Sequence, residues 1–472
     1  MKIRLTNLSF ILLPFLGFSQ TGPGGVGTTD GTSTLKIWIR ADNGVTTTGT
    51  SIDAITNSAG VSELDMSETG TQRPTLVTGA VNGYDEISFS GSNRIRTGLT
   101  LTTSNFVVNQ ASSFTVCRAD VLAQNTCVYT TDPLVGSTRF SNHIPWSSTV
   151  YYDIGTCCGT SARIEVGSLT SLTNYSVWSY DANPTSGKQL YRNGTLLQNR
   201  ANTTTYTSHG THRFNIGGNT SGTGGYRGDV TEVIVFTTKV NSAQRIIIEN
   251  YLAAKYGITS SGNNVYNEDD AAAGNYDHDV AGIGRIDASN LHNNARGTGV
   301  VQISNPSGLG DNEFYIWGHD NGDLEANNFS DIPGDVAARL ARVWRGSESN
   351  TSGGSVDVGS VDISWDLNGL GTIVASDLRL LIDTDNDGLF SDETGIAGAS
   401  DDGGGIYSFS GVTGLEDNLR FTLGTVNIWT TPLPVELVAF DAKLKSDKSV
   451  DISWETESEK DNDFFTIEKS RN

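Results

Sequence analysis

Short runs of alternating apolar and polar residues, separated by turn residues, recur along this chain and limit the folds open to it. In the first run, 35–40, Leu35, Ile37 and Ile39 alternate with more polar neighbours, as expected for a half-buried strand. Turn residues such as Asn193-Gly194 punctuate the series. Similar runs occur at 86–89, 113–117, 127–130, 175–181, 189–192, 213–216 and 230–236. The pattern predicts an all-β fold, either a sandwich or a jelly roll.

One helix interrupts the strand pattern. Asn241-Ser242 can cap its first turn, and Gly257 can end it. An apolar stripe at helical spacing lies between these two signals and consists of Ile247, Ile248, Tyr251, Leu252 and Tyr256. We expect this helix to pack on the sandwich.

The first twenty residues have the order of a secretory signal. Lys2 and Arg4 precede the apolar run 10–16, and small or polar residues follow at Gly17 and Ser19. The apolar run is too short to span a bilayer, which needs roughly 18 residues, and no other segment reaches that length. We therefore expect residues 1–20 to direct export, residues 21–34 to form a spacer, and the mature chain to have no membrane span.

The net charge of −22 is concentrated in one part of the chain. The segment 20–258 is neutral, with 16 basic and 16 acidic residues, whereas 259–432 has seven arginines, no lysine and 27 acidic residues. A compact domain with that imbalance repels itself unless cations bind or the acids are well spread. The missing basic surface also argues against a nucleic-acid partner.

Four cysteines, at positions 117, 127, 157 and 158, all lie in the neutral segment. In an exported protein they can form disulfides, and Cys117 and Cys127 could face each other across a hairpin. The neighbouring pair Cys157-Cys158 could close only with strained geometry. Four free or partly buried thiols are an equally open alternative, and the spacing fits no zinc site.

The acidic segment contains the pattern most suggestive of a bound ion. In the run 383–393, three aspartates alternate with other residues, a glycine follows, and two more acids come four and five residues later. Converging oxygen ligands of this kind are typical of a Ca²⁺ loop. The predicted ligands are the side chains of Asp383, Asp385 and Asp387, the carbonyl of Leu389, and Asp392 or Glu393 to complete the shell.

Two features separate this loop from a helix–loop–helix calcium site. Position twelve, counted from Asp383, is Thr394 instead of a bidentate glutamate. The preceding run 378–382 reads as a strand, and a Gly/Ala-rich stretch follows the loop. The loop is therefore predicted to connect β elements and to stabilise the fold, with a solvated acidic turn as the alternative.

Several motifs in the neutral segment resemble a known family. These motifs are the strand 228–236, the helix segments 242–245 and 249–257, Trp38 with Ala41-Asp42, and Ile87-Ser88-Phe89-Ser90-Gly91. The family that they resemble is the laminin G-like (concanavalin A-like) jelly-roll domains of secreted bacterial surface proteins. The resemblance covers about residues 30–258 and implies a jelly roll over 35–258. It also implies a secreted or outer-surface location and a glycan or extracellular protein as partner.

The rest of the chain resembles two further modules. Segments 276–285, 313–320, 342–345 and 378–383 are similar to an uncharacterised β domain that follows such jelly rolls, which implies a second sandwich-like domain over 259–431. Strand-like runs at 435–444, 449–454 and 464–468 resemble the start of a fibronectin type III-like module that precedes the sorting signal of type IX secretion. We expect residues 432–472 to form a linker and a truncated third sandwich module, with the sorting signal for the export machinery missing.

Candidate ligand-binding residues lie in the jelly-roll segment. Trp146, Tyr151, Tyr152 and Asp153 fall in what the sequence indicates is a loop, where aromatic rings could stack on sugars and Asp153 could bond hydroxyl groups. Core packing is the alternative for each of them. The glycosidase strand motif Glu-x-Asp-x-x-Glu is absent, and Asp229-Val230-Thr231-Glu232, the nearest run, has the wrong spacing. A non-catalytic binding or adhesion protein is therefore favoured, with a polysaccharide hydrolase and a structural stalk as alternatives.

Overall fold

The computed structural model describes residues 20–102, 104–107, 109–133, 139–155, 163–201, 211–218, 225–351, 356–432, 437–444 and 450–456. Residues 1–19 of the predicted signal, Cys157-Cys158 and the predicted strand 464–468 lie outside these ranges. The helix and strand content confirms the all-β prediction: one α-helix accompanies the strands of the described residues. None of the helices in the described ranges has the length and apolar character needed to cross a membrane.

Seventeen strands of the described residues build the first sandwich. They are β1 (Leu35–Arg40), β2 (Val45–Thr48), β3 (Ser51–Ile55), β4 (Met66–Ser67), β5 (Thr75–Val81), β6 (Tyr84–Ser90), β7 (Ile95–Thr97), β8 (Ala111–Ala119), β9 (Tyr129–Asp132), β10 (Arg139–Trp146), β11 (Thr149–Gly155), β12 (Arg163–Val166), β13 (Ser176–Asn183), β14 (Gly187–Arg192), β15 (Thr195–Arg200), β16 (Arg213–Ile216) and β17 (Arg227–Phe236). Short 3₁₀ turns occur at Pro23–Gly25, Ser62–Leu64 and Gly70–Gln72.

Two rows of antiparallel strands face each other in this sandwich. One row runs β1-β17-β8-β13-β14-β15, and the other runs β4-β7-β16-β9-β10-β11-β12. Apolar side chains from both rows form one core. Tyr152 of β11 stacks on Tyr180 of β13 across the layers, with ring centroids 4.7 Å apart. The predicted sandwich is therefore present.

The predicted helix is α1 (Ser242–Lys255). The Asn241 side chain accepts a hydrogen bond from the backbone N–H of Gln244, and the Gln244 side chain accepts one from the N–H of Asn241, which makes a capping box. Gly257 has a φ of +60°, a left-handed conformation that suits the residue after a helix end. The predicted cap and stop are confirmed.

Helix α1 packs on both halves of the molecule and not on one sandwich alone. Its Ile247 and Leu252 belong to a buried cluster that contains Phe114 and Ile234 of the first sandwich. Ile316 from the acidic segment belongs to the same cluster. The helix thus lies between the outer faces of two sheets.

The acidic segment forms a second sandwich. Its strands are β18 (His278–Asp287), β19 (Asn290–His292), β20 (Asn294–Ala295), β21 (Val301–Ser304), β22 (Glu313–His319), β23 (Asn327–Asn328), β24 (Ala338–Leu340), β25 (Trp344–Asn350), β26 (Val361–Asp366), β27 (Leu378–Ile382), β28 (Ser400–Gly403), β29 (Ile406–Val412) and β30 (Arg420–Thr425), with a 3₁₀ turn at Ala375–Asp377.

The strands of the second sandwich form two sheets. One has the order β19-β18-β22-β25-β30-β24-β23 with β27 beside β30, and the other has the order β20-β21-β26-β29-β28. Trp344 and Trp365, one from each sheet, meet edge to face with ring centroids 4.8 Å apart. Beyond this sandwich, β31 (Leu437–Leu444) and β32 (Val450–Thr456) pair as an antiparallel hairpin. Two of the three strands expected in the last segment are therefore present.

The structure corrects one hypothesis about the cysteines. Cys117 lies on β8, but Cys127 precedes β9 instead of lying on it. Cys117 is a free, fully buried thiol, so the disulfide with Cys127 is not formed. Burial raises the pKa of the Cys117 thiol to about 12, which keeps it protonated and unreactive.

Candidate functional site

The predicted ligand residues lie on a hairpin of the first sandwich. Strands β10 and β11 are joined by a tight turn in which Ser147 and Ser148 have φ values of +47° and +68°. Trp146 pairs with Thr149 beside this turn, and across a register shift in β10 the next pair is His143 with Tyr151. The expectation that this region is a loop was wrong, because the hairpin turn contains no glycine or asparagine to mark it.

Strand alternation separates the four predicted ligand residues into two groups. Trp146 and Tyr151 are half-buried and line a cleft on the outer face, and Asp153 lies on the same face as Tyr151. Tyr152 points the other way, into the core, where it is fully buried. The structure therefore brings together Trp146, Tyr151 and Asp153 and leaves Tyr152 as a core residue.

We call the cavity at this hairpin the aromatic cleft. Its volume is about 290 Å³, and it is lined by Arg139, His143, Trp146, Tyr151 and Arg163. The His143 ring meets the rings of Trp146 and Tyr151 edge to face, at centroid distances of 5.3 and 6.3 Å. The Arg163 guanidinium lies over the Tyr151 ring at 4.3 Å. Each aromatic wall is thus held by a neighbouring side chain.

Asp153 is the buried charge beside the cleft. Arg163, opposite it on β12, donates from Nε to Oδ1 at 2.7 Å and from Nη2 to Oδ2 at 2.9 Å. Burial by itself would raise the pKa of Asp153, but the hydrogen bonds from Arg163 and His143 hold it well below its usual range. Asp153 is therefore a permanent carboxylate that fixes the Arg163 side chain in the cleft wall.

The hydrogen bonds of His143 define its tautomer. Nδ1 lies 2.8 Å from the carbonyl oxygen of Thr126, which can only accept, so Nδ1 carries a proton. Nε2 lies 3.1 Å from the Ser141 hydroxyl and 3.5 Å from Oδ2 of Asp153. These contacts fix the imidazole ring between the Thr126 carbonyl, the Ser141 hydroxyl and the Asp153 carboxylate.

A second depression adjoins the aromatic cleft on the far side of the hairpin turn. It has a volume of about 390 Å³ and is lined by Leu122, Ala123, Asn125, Ser147 and Ser148. Asn125 forms an isolated β-bridge with Trp146, and the Ser147 hydroxyl donates to Oδ1 of Asn125 at 2.6 Å. Trp146 therefore stands between an aromatic, cationic cavity and a neutral polar one.

The acidic loop follows β27, as predicted, and its three aspartates converge. One carboxylate oxygen from each of Asp383, Asp385 and Asp387 lies within 4.8 Å of the others. Asp383 is fully buried, whereas the other two are exposed. Gly388 has a φ of +100°, and a side chain there would lie 3.0 Å from the Arg420 guanidinium, so glycine is required.

Asp383 is the anchor of the acidic loop. It accepts hydrogen bonds from the backbone N–H groups of Asp387 and Gly388, each at 3.1 Å, and its Oδ2 lies 3.0 Å from Nε of Arg420. Burial raises the pKa of Asp383, and repulsion from Asp387 adds to that shift against the opposing effect of Arg420. The loop thus has more negative charge than its own residues balance, which suits a divalent cation.

The other predicted calcium ligands, Leu389, Asp392 and Glu393, lie in the same loop but are not among the three converging carboxylates. Glu393 accepts hydrogen bonds from the backbone N–H and the hydroxyl of Thr384, at 2.5 and 3.0 Å. The N–H of Leu389 donates to Oδ1 of Asp387 at 2.8 Å, and Asp392 is exposed. These contacts fold the loop back toward its own start, so the chain is already curled around the aspartate group.

Asp229 and Glu232, the two acids of the run nearest to a glycosidase motif, have different partners. Asp229 pairs with Arg118 at 2.5 Å. Glu232 is buried against α1, where it accepts hydrogen bonds from Nε1 of Trp38 at 2.6 Å and from the Tyr256 hydroxyl at 2.8 Å, and it contacts Lys255. Glu232 thus anchors the helix, and the two acids do not share the aromatic cleft.

The sequence alone does not predict that Arg139 and Arg163 line the cleft. Arg139 and Arg163 are 14 and 10 positions from Asp153, and only the strand register places them beside it. The alternation of Arg163, Ile164 and Glu165 was the available signal, because it marks a strand with one charged face.

Comparison with known proteins gives fold-level likenesses and one family match. Solved structures similar to this one include domain 4 of AbnA, a GH43 extracellular arabinanase from Geobacillus stearothermophilus, in complex with arabinotriose (15% identity, TM-score 0.32, covering 44% of this chain and 95% of that chain). Another is Trypanosoma rangeli sialidase in complex with sialic acid (15% identity, TM-score 0.31, covering 50% of this chain and 35% of that chain). A third is Ruminococcus gnavus IT-sialidase CBM40 bound to alpha2,3 sialyllactose (12% identity, TM-score 0.27, covering 34% of this chain and 94% of that chain).

No curated protein matches the sequence of this chain. Residues 244–413 match the family model of a domain of unknown function, DUF8202. The matched segment begins in the first turn of α1 and ends just after β29, so it joins the helix to most of the second sandwich.

Proposed function

We propose that this protein binds a glycan in the aromatic cleft of its first sandwich, at a secreted or outer cell-surface location, and that its acidic loop holds a structural Ca²⁺ ion. The observation that carries the proposal is the cleft of about 290 Å³ in which Trp146 and Tyr151 stand beside Arg139, His143 and Arg163. Aromatic faces pack against the C–H face of a sugar ring, and guanidinium groups donate to its hydroxyls.

The cleft is suited to binding because its walls are fixed before a ligand arrives. Arg163 is held by two hydrogen bonds to Asp153, and it covers one face of Tyr151. Fixed side chains lose little conformational entropy when a ligand binds. The adjoining depression at Asn125 and Ser147 would accommodate a longer chain that passes Trp146.

The arrangement favours binding over the two alternative functions. A glycosidase needs two carboxyl groups about 5–10 Å apart across its substrate. The carboxylate beside the aromatic cleft, Asp153, is already bonded to Arg163 and keeps a pKa too low for a general acid. A structural stalk would not need a cleft with two aromatic walls.

A binding experiment with matched tryptophan variants tests the proposal. The full chain is screened on a glycan array, and hits are measured by titration calorimetry. We expect Trp146→Ala to weaken binding by at least about tenfold, as for a buried aromatic anchor. Trp429→Ala is the control, because Trp429 is 55% exposed and lies beyond the second sandwich strands. An array without hits, or equal affinities for the two variants, would contradict the proposal.

We propose Asp383, Asp385 and Asp387 as Ca²⁺ ligands, with the Leu389 carbonyl and Asp392 or Glu393 completing the shell. The proximity of the three carboxylates and the raised pKa of Asp383 support this assignment. Arg420 balances part of the negative charge of the three aspartates, and Ca²⁺ would balance the rest. Because it would bind only the folded loop, it would stabilise the protein by mass action.

Thermal melting of the full chain with Ca²⁺ and with chelator tests the metal site. We expect a higher melting temperature with Ca²⁺, and we expect the double variant Asp385→Asn/Asp387→Asn to lose that difference. Asp401→Asn/Asp402→Asn removes an equally exposed acidic pair in the same sandwich and serves as the control. Identical melting of the parent with and without Ca²⁺ would remove the metal site from the proposal.

We also propose export by the type IX route, which the signal-like residues 1–20 and the resemblance of the last segment support. Removing residues 1–20 should retain the protein inside a host that has this route. Fractionation of cytoplasm and periplasm measures the outcome, because the sorting signal for the next step is expected to be missing, and unchanged export of the shortened chain to the periplasm would contradict the proposal.

A further inference from the structure

Among the described residues, the aromatic cleft has more guanidinium groups beside it than carboxylates on its strands. Two acids lie on its strands, and each has an arginine: Arg163 bonds Asp153, and Arg200 lies 3.4 Å from Glu165. Asp153 also lies 3.5 Å from Nη1 of Arg139, so this one carboxylate faces two guanidinium groups. Arg139 remains, and it lines the cleft.

Arg139 is also short of hydrogen-bond partners. Its Nε is buried and has no partner, and its Nη1 lies 3.5 Å from Oδ2 of Asp153, longer than a charged hydrogen bond. A buried donor without an acceptor is unfavourable until something supplies the acceptor. Most of the Arg139 side chain is covered, with 12% exposed, so bulk water solvates it poorly.

The other nearby cation does not take this role. Lys188 is buried, and burial together with the charge of Arg200 lowers its pKa to about 8, while the charge of Asp153 opposes that shift. It is absent from the cleft lining, whereas Arg139 is part of it. The unmatched positive charge that a ligand in the cleft would meet is therefore the Arg139 guanidinium.

We infer that the aromatic cleft recognises a carboxylated sugar, a hexuronate residue of an acidic polysaccharide, through its carboxylate on Arg139. This inference rests on the proposed glycan function and assigns the class of glycan. A planar carboxylate matches the two parallel donors of a guanidinium group. The sugar ring lies against Trp146 or Tyr151 while its carboxylate reaches Arg139. A single hexuronate unit therefore contacts both the aromatic wall and the guanidinium group of the cleft.

Paired ligands that differ only in charge test the inference. The full chain is titrated with oligogalacturonate and with alginate oligosaccharides, and then with the same oligosaccharides after reduction of their carboxyl groups to alcohols. We expect the acidic forms to bind and the reduced forms to bind about 10- to 100-fold more weakly, the difference made by one charged hydrogen-bonded pair. Added salt should weaken binding of the acidic forms only.

Arginine variants locate the effect. Arg139→Gln should bind the acidic oligosaccharide as weakly as the parent binds the reduced one, and Arg139→Lys should recover part of the affinity. Arg227→Gln removes the same charge from an exposed position on β17 and should change nothing. Melting temperatures and circular dichroism show whether each variant folds. If Arg139→Gln does not fold, the inference is tested by the affinity of Arg139→Lys and by the effect of salt on binding to the parent.

The outcomes separate the inference from the function it rests on. Equal binding of acidic and reduced forms, binding of sulfated but not carboxylated sugars, or unchanged binding by Arg139→Gln would overturn the inference and leave glycan binding intact. Failure of every glycan on an array, acidic and neutral, would overturn the proposed function itself.

Discussion

Two aspartates, one in each sandwich, have the same burial and opposite electrostatics. Asp153 and Asp383 are both fully buried, and each lies beside an arginine, Arg163 or Arg420. The pKa of Asp153 is held below its usual range, whereas the pKa of Asp383 is raised. Burial alone therefore does not decide the charge state of a carboxylate in this protein.

The difference lies in the neighbours beyond the first arginine. Asp153 receives two hydrogen bonds from Arg163 and is also close to Arg139 and His143. Asp383 has one contact with Arg420, and the nearby charge of Asp387 opposes ionisation. The first site has surplus positive charge and suits an anionic ligand. The second has surplus negative charge and suits a cation.

Removing Arg163 should have the largest effect on stability. Arg163→Ala leaves Asp153 buried with no bidentate partner, and breaking a buried pair in this way costs about 3–5 kcal/mol. Chemical denaturation of the full chain measures the loss. The matched variant Arg163→Ala/Asp153→Asn removes the uncompensated charge and should recover much of it. If the single variant is as stable as the double variant, Asp153 does not depend on Arg163.

Removing Arg420 should cost less, and Ca²⁺ should change the result. In Arg420→Ala, Asp383 keeps its two backbone hydrogen bonds, so we expect a loss of about 1–3 kcal/mol in chelator. Ca²⁺ would supply the missing positive charge, and the loss should shrink when it is present. An equal loss with Ca²⁺ and with chelator would show that the ion does not contact Asp383.

The comparison also separates what the sequence can predict from what it cannot. Strand β1 and helix α1 follow local rules, namely period-two alternation and a capping box, and both are at their predicted positions. Hairpin β10–β11 does not follow them. Ser141, Asn142 and His143 are all buried on consecutive positions of β10, so polar residues on both faces obscure the alternation.

Long-range pairing also fixes the surroundings of residues that no local pattern locates. Glu268 lies in the acidic run 268–270, a composition typical of a solvated loop, yet it is buried and lies 3.0 Å from Arg345. His319 at the end of β22 is likewise buried, with its Nε2 2.9 Å from Oδ2 of Asp279. Each partner is 40 or more positions away in the sequence, and strand order rather than any local pattern brings it close. The Asp383 group was predictable because its three members are consecutive alternate residues.

The smallest predicted effect is a difference in how the two aspartates respond to pH. The ordinary pKa of an aspartate is 3.8, and Asp153 lies below it in the folded protein. Its contribution to the free energy of unfolding is therefore present above pH 3.8 and is lost as pH falls below that value. Asp383 lies above 3.8, so its contribution is complete below pH 3.8 and is lost as pH rises through its folded pKa.

Asparagine variants isolate each contribution. The free energy of unfolding of Asp153→Asn and of Asp383→Asn, subtracted from that of the parent between pH 3 and 7, should change in opposite directions in chelator. The expected change is on the order of 1 kcal/mol for each unit of pKa shift. Ca²⁺ bound to Asp383 would favour its ionised form and lower its pKa, so the Asp383 profile should reverse its sign while the Asp153 profile stays the same. Parallel profiles in chelator would contradict the electrostatic difference between the two sites, and a profile for Asp383 that ignores Ca²⁺ would contradict the metal site alone.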